Sequence, residues 1–350
     1  MADALDLSRA RVLVTGGAGF IGANFVHRLL ELHPSTHIVV LDALTYAGRR
    51  ENLDGLKPSQ LTFVHGDIRD PEAVAAAMKG CDYVLNFAAE SHVDRSIEAP
   101  GEFIQTDVYG VFVLAEEARR VGVKRFVQVS TDEVYGEVLE GHSTEDWPLN
   151  PRSPYAASKA GGDRLAYAYH CTYGLPVVVT RCSNNYGPRQ YPEKLVPLFV
   201  TNAIDDEVLP VYGNGRNTRD WLHVRDHCDA LLTLLTFPGI EGETFNIGAG
   251  HELDVLSITS TLLALLDKPA TLVRYVEDRP GHDRRYAVDC SKLTRVTGWE
   301  PRIPFDQGIR ETVEWFQANT AWWRPIKQGE FRAYYERMYG QRKVLREVKA

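Results

Sequence analysis

The sequence predicts an α/β protein: a doubly wound parallel sheet with a smaller, interleaved C-terminal α/β domain. Three observations carry that reading. Short apolar runs of strand character recur between stretches with helical spacing, the rhythm of βαβ units. A glycine-rich turn joins the first such run to the first helical stretch. A later run, Arg125-Phe126-Val127-Gln128-Val129, leads into Ser130-Thr131-Asp132-Glu133, the kind of strand end at which open parallel sheets bind ligands.

Composition narrows the class before any motif is read. The chain has 350 residues, enough for one large core or a domain with a cap, and 44% of them are hydrophobic and 25% charged, as in ordinary globular proteins. A net charge of −8 argues against nucleic-acid or anionic-membrane partners, while leaving room for a phosphorylated small molecule held by local Lys and Arg. The five cysteines are scattered and form no Cys-x-x-Cys pair, which fits reduced thiols in a cytoplasmic protein and no zinc site. Met1 to Asp6 shows neither the basic nor the apolar region of a signal peptide. No apolar run approaches the roughly 20 residues of a membrane span.

The elements follow in order. Arg11–Thr15 reads as a buried strand, Gly16-Gly17-Ala18-Gly19-Phe20-Ile21-Gly22 as a tight turn, and Asn24–Leu30 as a helix. Glycines there permit close backbone approach to a pyrophosphate lying on the helix N-terminus. Ile38–Leu41 is a second strand, and Asp42 ends it 20 residues beyond Gly22. A carboxylate at that place accepts the adenosine ribose hydroxyls and repels a 2′-phosphate, so the Rossmann-type fingerprint favours NAD over NADP. Leu61–Ile68 reads as a third strand with Asp67 and Ile68 beside the adenine, Pro71–Lys79 as a helix, and Tyr83–Ala89 as a fourth strand. Small Ala88 and Ala89 let a cofactor pass over its end. His92 and Asp94 lack a third ligand nearby, so no metal is expected. Phe103–Ala118 is helical and apolar on more than one face, which calls for cover on two sides; one cover is the sheet, and the other is either the monomer's own core or a second subunit.

Thr131, Asp132 and Glu133 place one hydroxyl and two adjacent carboxyls at a strand end, able to bind one oxygen and supply both an acid and a base. After a loop from Gly141 to Arg152, Ser153-Pro154 opens a helix with a capping hydroxyl and a first-turn proline. Tyr155 and Lys159 share one face of it at i,i+4. The lysine charge is expected to lower the phenol pKa so that a tyrosinate serves as base near neutral pH.

These stretches resemble the extended short-chain dehydrogenase/reductase family, in its nucleotide-sugar branch and there the dTDP-glucose 4,6-dehydratases. The resemblance runs from residue 11 to about 323 through Gly16–Gly22, Asp42–Gly48, Ala88–Ser96, Ser130–Gly136, Ser153–Lys159, Cys182–Pro188, Arg219-Asp220-Trp221 and Asp278–Asp283. It implies that Tyr155, with Lys159 and Thr131, takes the proton of the sugar C4 hydroxyl while hydride passes to tightly bound NAD⁺. It implies further that Glu133 removes the C5 proton, Asp132 protonates the departing C6 hydroxyl, and the hydride returns to C6. Two adjacent carboxyls in those roles need opposite protonation states, so Asp132 is expected to have a raised pKa while Glu133 stays ionised.

The cofactor would then be held by Gly16, Gly19, Phe20, Ile21, Gly22, Asp42, Leu44, Thr45, Asp67, Ile68, Phe87, Ala88, Ala89, Ser91, Thr106, Tyr155, Lys159 and Asn185. The nucleotide sugar would meet Ser91, Thr131, Asn184, Lys194, Leu195, Pro210, Tyr212, Arg219, Asn246, Arg279 and His282, with Arg219 and Arg279 suited to a diphosphate. Residues 1–185 with a return segment near 221–249 are expected to form the NAD-binding domain, and 186–220 with 250–340 the nucleotide-sugar domain. Phe305–Asn319 reads as an amphipathic helix of that second domain, and the Lys- and Arg-rich tail after Trp323 as a solvated terminal helix. The resemblance also implies a homodimer. A 4-epimerase or decarboxylase on the same fold would share Tyr155 and Lys159 but has no need of the Asp132-Glu133 pair, and a GDP-mannose enzyme using NADP is disfavoured by Asp42. A non-enzymatic NAD-binding regulator would need none of the catalytic groups. The choice between thymine and uracil stays open at this stage, since one methyl group is worth only about 1–3 kcal/mol.

Overall fold

Thirteen strands run through the chain in the computed structural model, which describes residues 5–340 and 342–348. In order they are β1 (Arg11–Thr15), β2 (His37–Asp42), β3 (Leu61–His65), β4 (Tyr83–Asn86), β5 (Arg125–Thr131), β6 (Val177–Cys182) and β7 (Asn184–Tyr186). β8 (Leu209–Tyr212), β9 (Thr218–His223), β10 (Thr244–Ile247), β11 (Glu252–Asp254), β12 (Val273–Val276) and β13 (Val344–Glu347) follow. Seven of them form one parallel sheet in the order β10-β6-β5-β4-β1-β2-β3. The strand order reverses between β1 and β4, and that switch point is where a doubly wound sheet opens a crevice.

The central strands are buried on both faces: Val12, Leu13, Val14, Val84, Leu85, Phe126 and Val127 are all fully covered. This is why they read as continuous apolar runs and not as alternating ones. One face packs under the helices Phe20–Leu32 and Val224–Thr236, the other under Pro71–Met78, Gly110–Val121 and Pro154–Tyr173. β10 comes late in the chain yet pairs in parallel with β6 (Thr244 opposite Val179), so the chain returns to its first sheet after leaving it. Two three-stranded sheets, β11-β9-β7 and β13-β12-β8, belong to a second core of Val196, Phe199, Leu209, Val211, Ile258, Leu262, Ile309, Phe316 and Trp323.

Two expectations need correction here. The segment expected as one helix from Phe103 is Pro100–Ile104, a wide π turn Gln105–Tyr109, and the helix Gly110–Val121. Phe103, Val111, Leu114 and Ala115 point inward, whereas Ile104, Tyr109 and Phe112 remain 41–50% exposed. The tail is not a solvated helix. Phe331, Tyr334, Tyr335, Met338 and Tyr339 fall at helical spacing and lay an aromatic stripe on the second core, and β13 adds to β12 antiparallel. No described helix is long and apolar enough to cross a membrane, and the leader reading at Met1–Ala4 lies outside the described residues.

Candidate active site

A cleft runs across the carboxyl ends of β1, β2, β4, β5 and β6, and the first glycine turn forms its floor. Gly16 has φ +66°, and a Cβ there would sit 2.7 Å from the Ala88 amide nitrogen; one on Gly22 would sit 2.3 Å from the Gly16 carbonyl oxygen. Only glycine lets the turn close so tightly on the next strand end. The helix Phe20–Leu32 then starts with no side-chain cap and no acidic residue in its first turn, leaving its leading amides to whatever enters the cleft. Asp42 accepts from the Ala18 and Leu44 amides, each at 2.8 Å. Burial lifts its pKa above the ordinary value, and those two amides oppose the lift.

Gly19, Phe20, Ile21, Thr45, Asp67, Ile68, Phe87, Ala88, Ala89, Ser91, Thr106 and Asn185 all line this cleft with Gly16, Gly22 and Asp42. Leu44 does not: it gives Asp42 its backbone N–H and packs its side chain on the core. Among the described residues, Ser130 Oγ, Ser183 Oγ and Gln190 Oε1 on the cleft wall are buried with no hydrogen-bond partner. An uncapped helix start, a carboxylate at the second strand end and unspent polar atoms between them fit a dinucleotide. Of these wall residues, Ser130 and Ser183 stand inside motifs the sequence displays, while Gln190 carries no local signal.

The catalytic candidates meet where β5 ends. Thr131 closes the strand and caps the following short turn, Asp132–Tyr135, by accepting from the Glu133 amide at 3.2 Å. Its hydroxyl also donates to Asp132 Oδ1 at 3.1 Å, while Asp132 Oδ2 is buried with no partner among the described residues. Burial and then the neighbouring Glu133 charge push the Asp132 pKa up to about 8, so this carboxyl is protonated at neutral pH. Ser153 caps the helix Pro154–Tyr173 through the Ala156 amide at 3.1 Å, with Pro154 at its start. That helix carries Tyr155 and Lys159 to the same cleft.

The expected depression of the tyrosine pKa is not found. Tyr155 is pushed well above the ordinary phenol range, first by burial of its hydroxyl end and then by Glu133. Lys159 Nζ donates to the Val129 carbonyl at 2.8 Å. Asp107, in the π turn, ties the region together by accepting from the Glu90 amide at 3.0 Å and the Ser158 hydroxyl at 2.6 Å.

A second cavity adjoins the first, and Glu133, Asn184, Glu193 and Lys194 line both. Leu195, Pro210, Tyr212, Arg219, Arg279 and His282 complete the predicted set within it. Arg279 pairs with Asp94 at 3.3 Å, and its buried Nε is unpartnered. Arg219 spends its terminal nitrogens on the carbonyls of Thr218 and Asp283 and lies 4.2 Å over the Tyr286 ring. Lys194 Nζ donates to the Ser91 carbonyl, drawing the two halves together. Arg95 and Glu193 do the same through a half-buried ion pair at 3.0 Å, with Tyr46 bonded to the other carboxylate oxygen at 2.8 Å.

Asn246 is the one predicted substrate residue that the structure takes elsewhere. It is fully buried on β10, where its side chain bonds Tyr135 Oη and the carbonyls of Ser143 and Asp289. Every polar atom is spent on that lock. Tyr339, by contrast, lines the second cavity and stacks on Tyr212 with ring centres 5.7 Å apart. Nothing local in the sequence points to it, since it arrives from the far end of the chain. Among the described residues no group of three or more His, Cys, Asp or Glu is placed to hold a metal.

Comparison with known proteins bears on this geometry. A family model described as GDP-mannose 4,6 dehydratase matches residues 13–312. A dTDP-glucose 4,6-dehydratase of Streptomyces antibioticus is 51% identical over 322 residues, covering 91% of this chain and 95% of that protein. The crystal structure of the dTDP-glucose 4,6-dehydratase DesIV from Streptomyces venezuelae, with NAD and dTDP bound, superposes with a TM-score of 0.88. Identity there is 51%, covering 91% of this chain and all of that one. A UDP-glucose 4-epimerase of Thermotoga maritima shares the fold at a TM-score of 0.83 and 31% identity, covering 89% of this chain and 99% of that one.

Proposed function

The chain belongs to the family described as GDP-mannose 4,6 dehydratase, and from that premise we propose that it converts dTDP-glucose to dTDP-4-keto-6-deoxyglucose, using NAD. The observation that carries this is the Asp132-Glu133 pair: two adjacent carboxyls, one of them protonated at neutral pH, set where the two cavities meet. Elimination of water across C5 and C6 needs one acid and one base on neighbouring atoms, and an epimerase has no such need.

Gly16, Gly19, Gly22 and Asp42 hold the dinucleotide along the cleft, with Tyr155 and Lys159 at its reacting end. NAD⁺ held there would supply the hydride acceptor for C4 and the donor for C6, and its positive charge would favour ionisation of the Tyr155 phenol. Tyr155 takes the C4 hydroxyl proton, and Thr131 fixes that hydroxyl. Glu133 removes the C5 proton, which the 4-keto group has made acidic. Asp132 gives its proton to the leaving C6 hydroxyl, and water departs. The diphosphate falls to Arg219, Arg279 and Asn184, and the base to Leu195, Pro210 and Tyr212.

The division into an NAD-binding and a nucleotide-sugar domain is part of the same proposal, supported by the return of β10 to the first sheet. So is a homodimer, for which Ile104, Tyr109 and Phe112 offer an exposed apolar face. A cytoplasmic location agrees with five unpaired cysteines. The test is incubation of purified protein with dTDP-glucose and no added cofactor, followed by mass spectrometry. Loss of one water is expected. Unchanged mass with galactose appearing would move the protein to the epimerases, and turnover of UDP-glucose alone would change the base assignment.

A further inference from the structure

Asn185 stands on the cofactor cleft, and its amide is held from behind by a residue that never reaches the cleft. His227, on the helix Val224–Thr236, is fully buried with Nδ1 3.0 Å from Asn185 Oδ1. Its other ring nitrogen, Nε2, is buried with no partner among the described residues. That asymmetry fixes the tautomer. A proton on Nε2 would leave a buried donor unsatisfied at about 1–3 kcal/mol, so the proton belongs on Nδ1. The ring is neutral, since burial pushes its pKa down to about 3.

An Nδ1–H must donate, so the atom it meets is the side-chain oxygen of Asn185. The Asn185 Nδ2 is thereby turned the other way. One of its hydrogens goes to the Ser183 carbonyl at 3.0 Å. The second meets the Cys182 thiol, so the carboxamide ties together the wall that Cys182, Ser183 and Asn185 give the cleft. Gln190 steadies the same residue by donating to its backbone carbonyl at 2.9 Å. As a core residue His227 is a poor choice, because an apolar ring would fill the space without a polar nitrogen to bury. Its one polar contact is with a residue of the cleft.

We propose that His227 is a positioning residue for the cofactor: it locks the Asn185 carboxamide, and with it the Cys182–Asn185 wall of the cleft, in the shape that receives NAD. The inference rests on the reading that Asn185 faces the cofactor, and the test separates the two. NAD carried per subunit through purification, and the Kd of NAD re-added to stripped protein, are measured for His227→Phe, His227→Asn, Asn185→Ala and the double variant His227→Phe with Asn185→Ala. His227→Phe keeps the ring and loses the bond that holds Asn185, so NAD affinity is expected to fall roughly tenfold, the worth of that one hydrogen bond to the shape of the wall. His227→Asn returns a donor near the Nδ1 position and is expected to recover most of that loss. In the double variant, His227→Phe should cost nothing beyond Asn185→Ala, and dTDP affinity should stay unchanged in all four. Wild-type NAD affinity in His227→Phe, or losses that add in the double variant, would overturn the proposal. Full NAD affinity in Asn185→Ala would instead remove Asn185 from the cofactor site, and this inference with it.

Discussion

The two cavities share a wall but are built in different ways. The cofactor cleft is made mostly of strand ends: most lining residues lie within a few positions of β1 to β6, whose order in the sheet sets their spacing, and Thr106, Tyr155, Lys159 and the stretch from Gln190 to Lys194 complete it. The second cavity is assembled from pieces far apart in the chain, with Asp94, Lys194, Tyr212, Arg279 and Tyr339 brought together by side-chain contacts. Asp94 alone bonds both Tyr212, at 3.0 Å, and Arg279, at 3.3 Å. A site set by topology tolerates loss of a side chain better than one that side chains hold together. Damage to the second cavity should therefore spread, while damage to the cleft should stay local.

The largest effect is expected at the shared wall. Asp132→Asn and Glu133→Gln should each lower turnover by roughly 10²–10⁴-fold, the worth of a positioned acid or base, while NAD content and dTDP affinity hold. Normal turnover in both would remove the proposed acid and base roles. Phe331→Ala comes next. This residue is 2% exposed in the second core, so the substitution should cost about 3–5 kcal/mol of stability. Substrate KM should rise with it through loss of the Tyr339 wall, and NAD content should not move; thermal melts beside NAD quantification would show whether the two sides separate.

Arg279→Ala should raise KM by about 10- to 100-fold, in proportion to lost charged hydrogen bonds, and change kcat less. A drop confined to kcat would place Arg279 outside substrate binding. The smallest effect is with pH. Asp132 has to be protonated to act as acid, so kcat should fall as pH rises through about 8. Stability moves in the same direction. A carboxyl whose folded pKa lies above its unfolded value of 3.8 binds more protons when folded, so it costs stability increasingly from about pH 4 to pH 8. Asp132→Asn should therefore gain on the wild type in urea melts as pH is raised across that window, even as it loses activity.

How much of this could be read from the sequence follows the same division. β1 with its glycine turn, Asp42, the end of β5 and the Ser153 cap are local signals, because backbone geometry and strand position act within a few residues. The raised pKa of Asp132 was legible too, since two adjacent carboxyls at a buried strand end cannot both ionise cheaply. The raised pKa of Tyr155 is not legible, because the i,i+4 spacing places Lys159 on the same face without saying how deeply the phenol is buried, and burial is the first cause of its shift. Asn246 follows a strand motif, yet whether an asparagine there faces a ligand or the core depends on Tyr135, Ser143 and Asp289, which its neighbours do not reveal. The tail stripe from Phe331 to Tyr339 is visible as periodicity, but Arg332, Glu336 and Arg337 between its members mask it.

The central claim is that one bound cofactor removes a hydride at C4 and restores it at C6 around a single loss of water. The most direct measurement uses dTDP-glucose carrying deuterium at C4, in ordinary water with no added NAD, and locates the label in the product by NMR. Deuterium in the C6 methyl group, with one solvent proton entering at C5, is the predicted result. Deuterium still at C4, or lost to solvent, would contradict it.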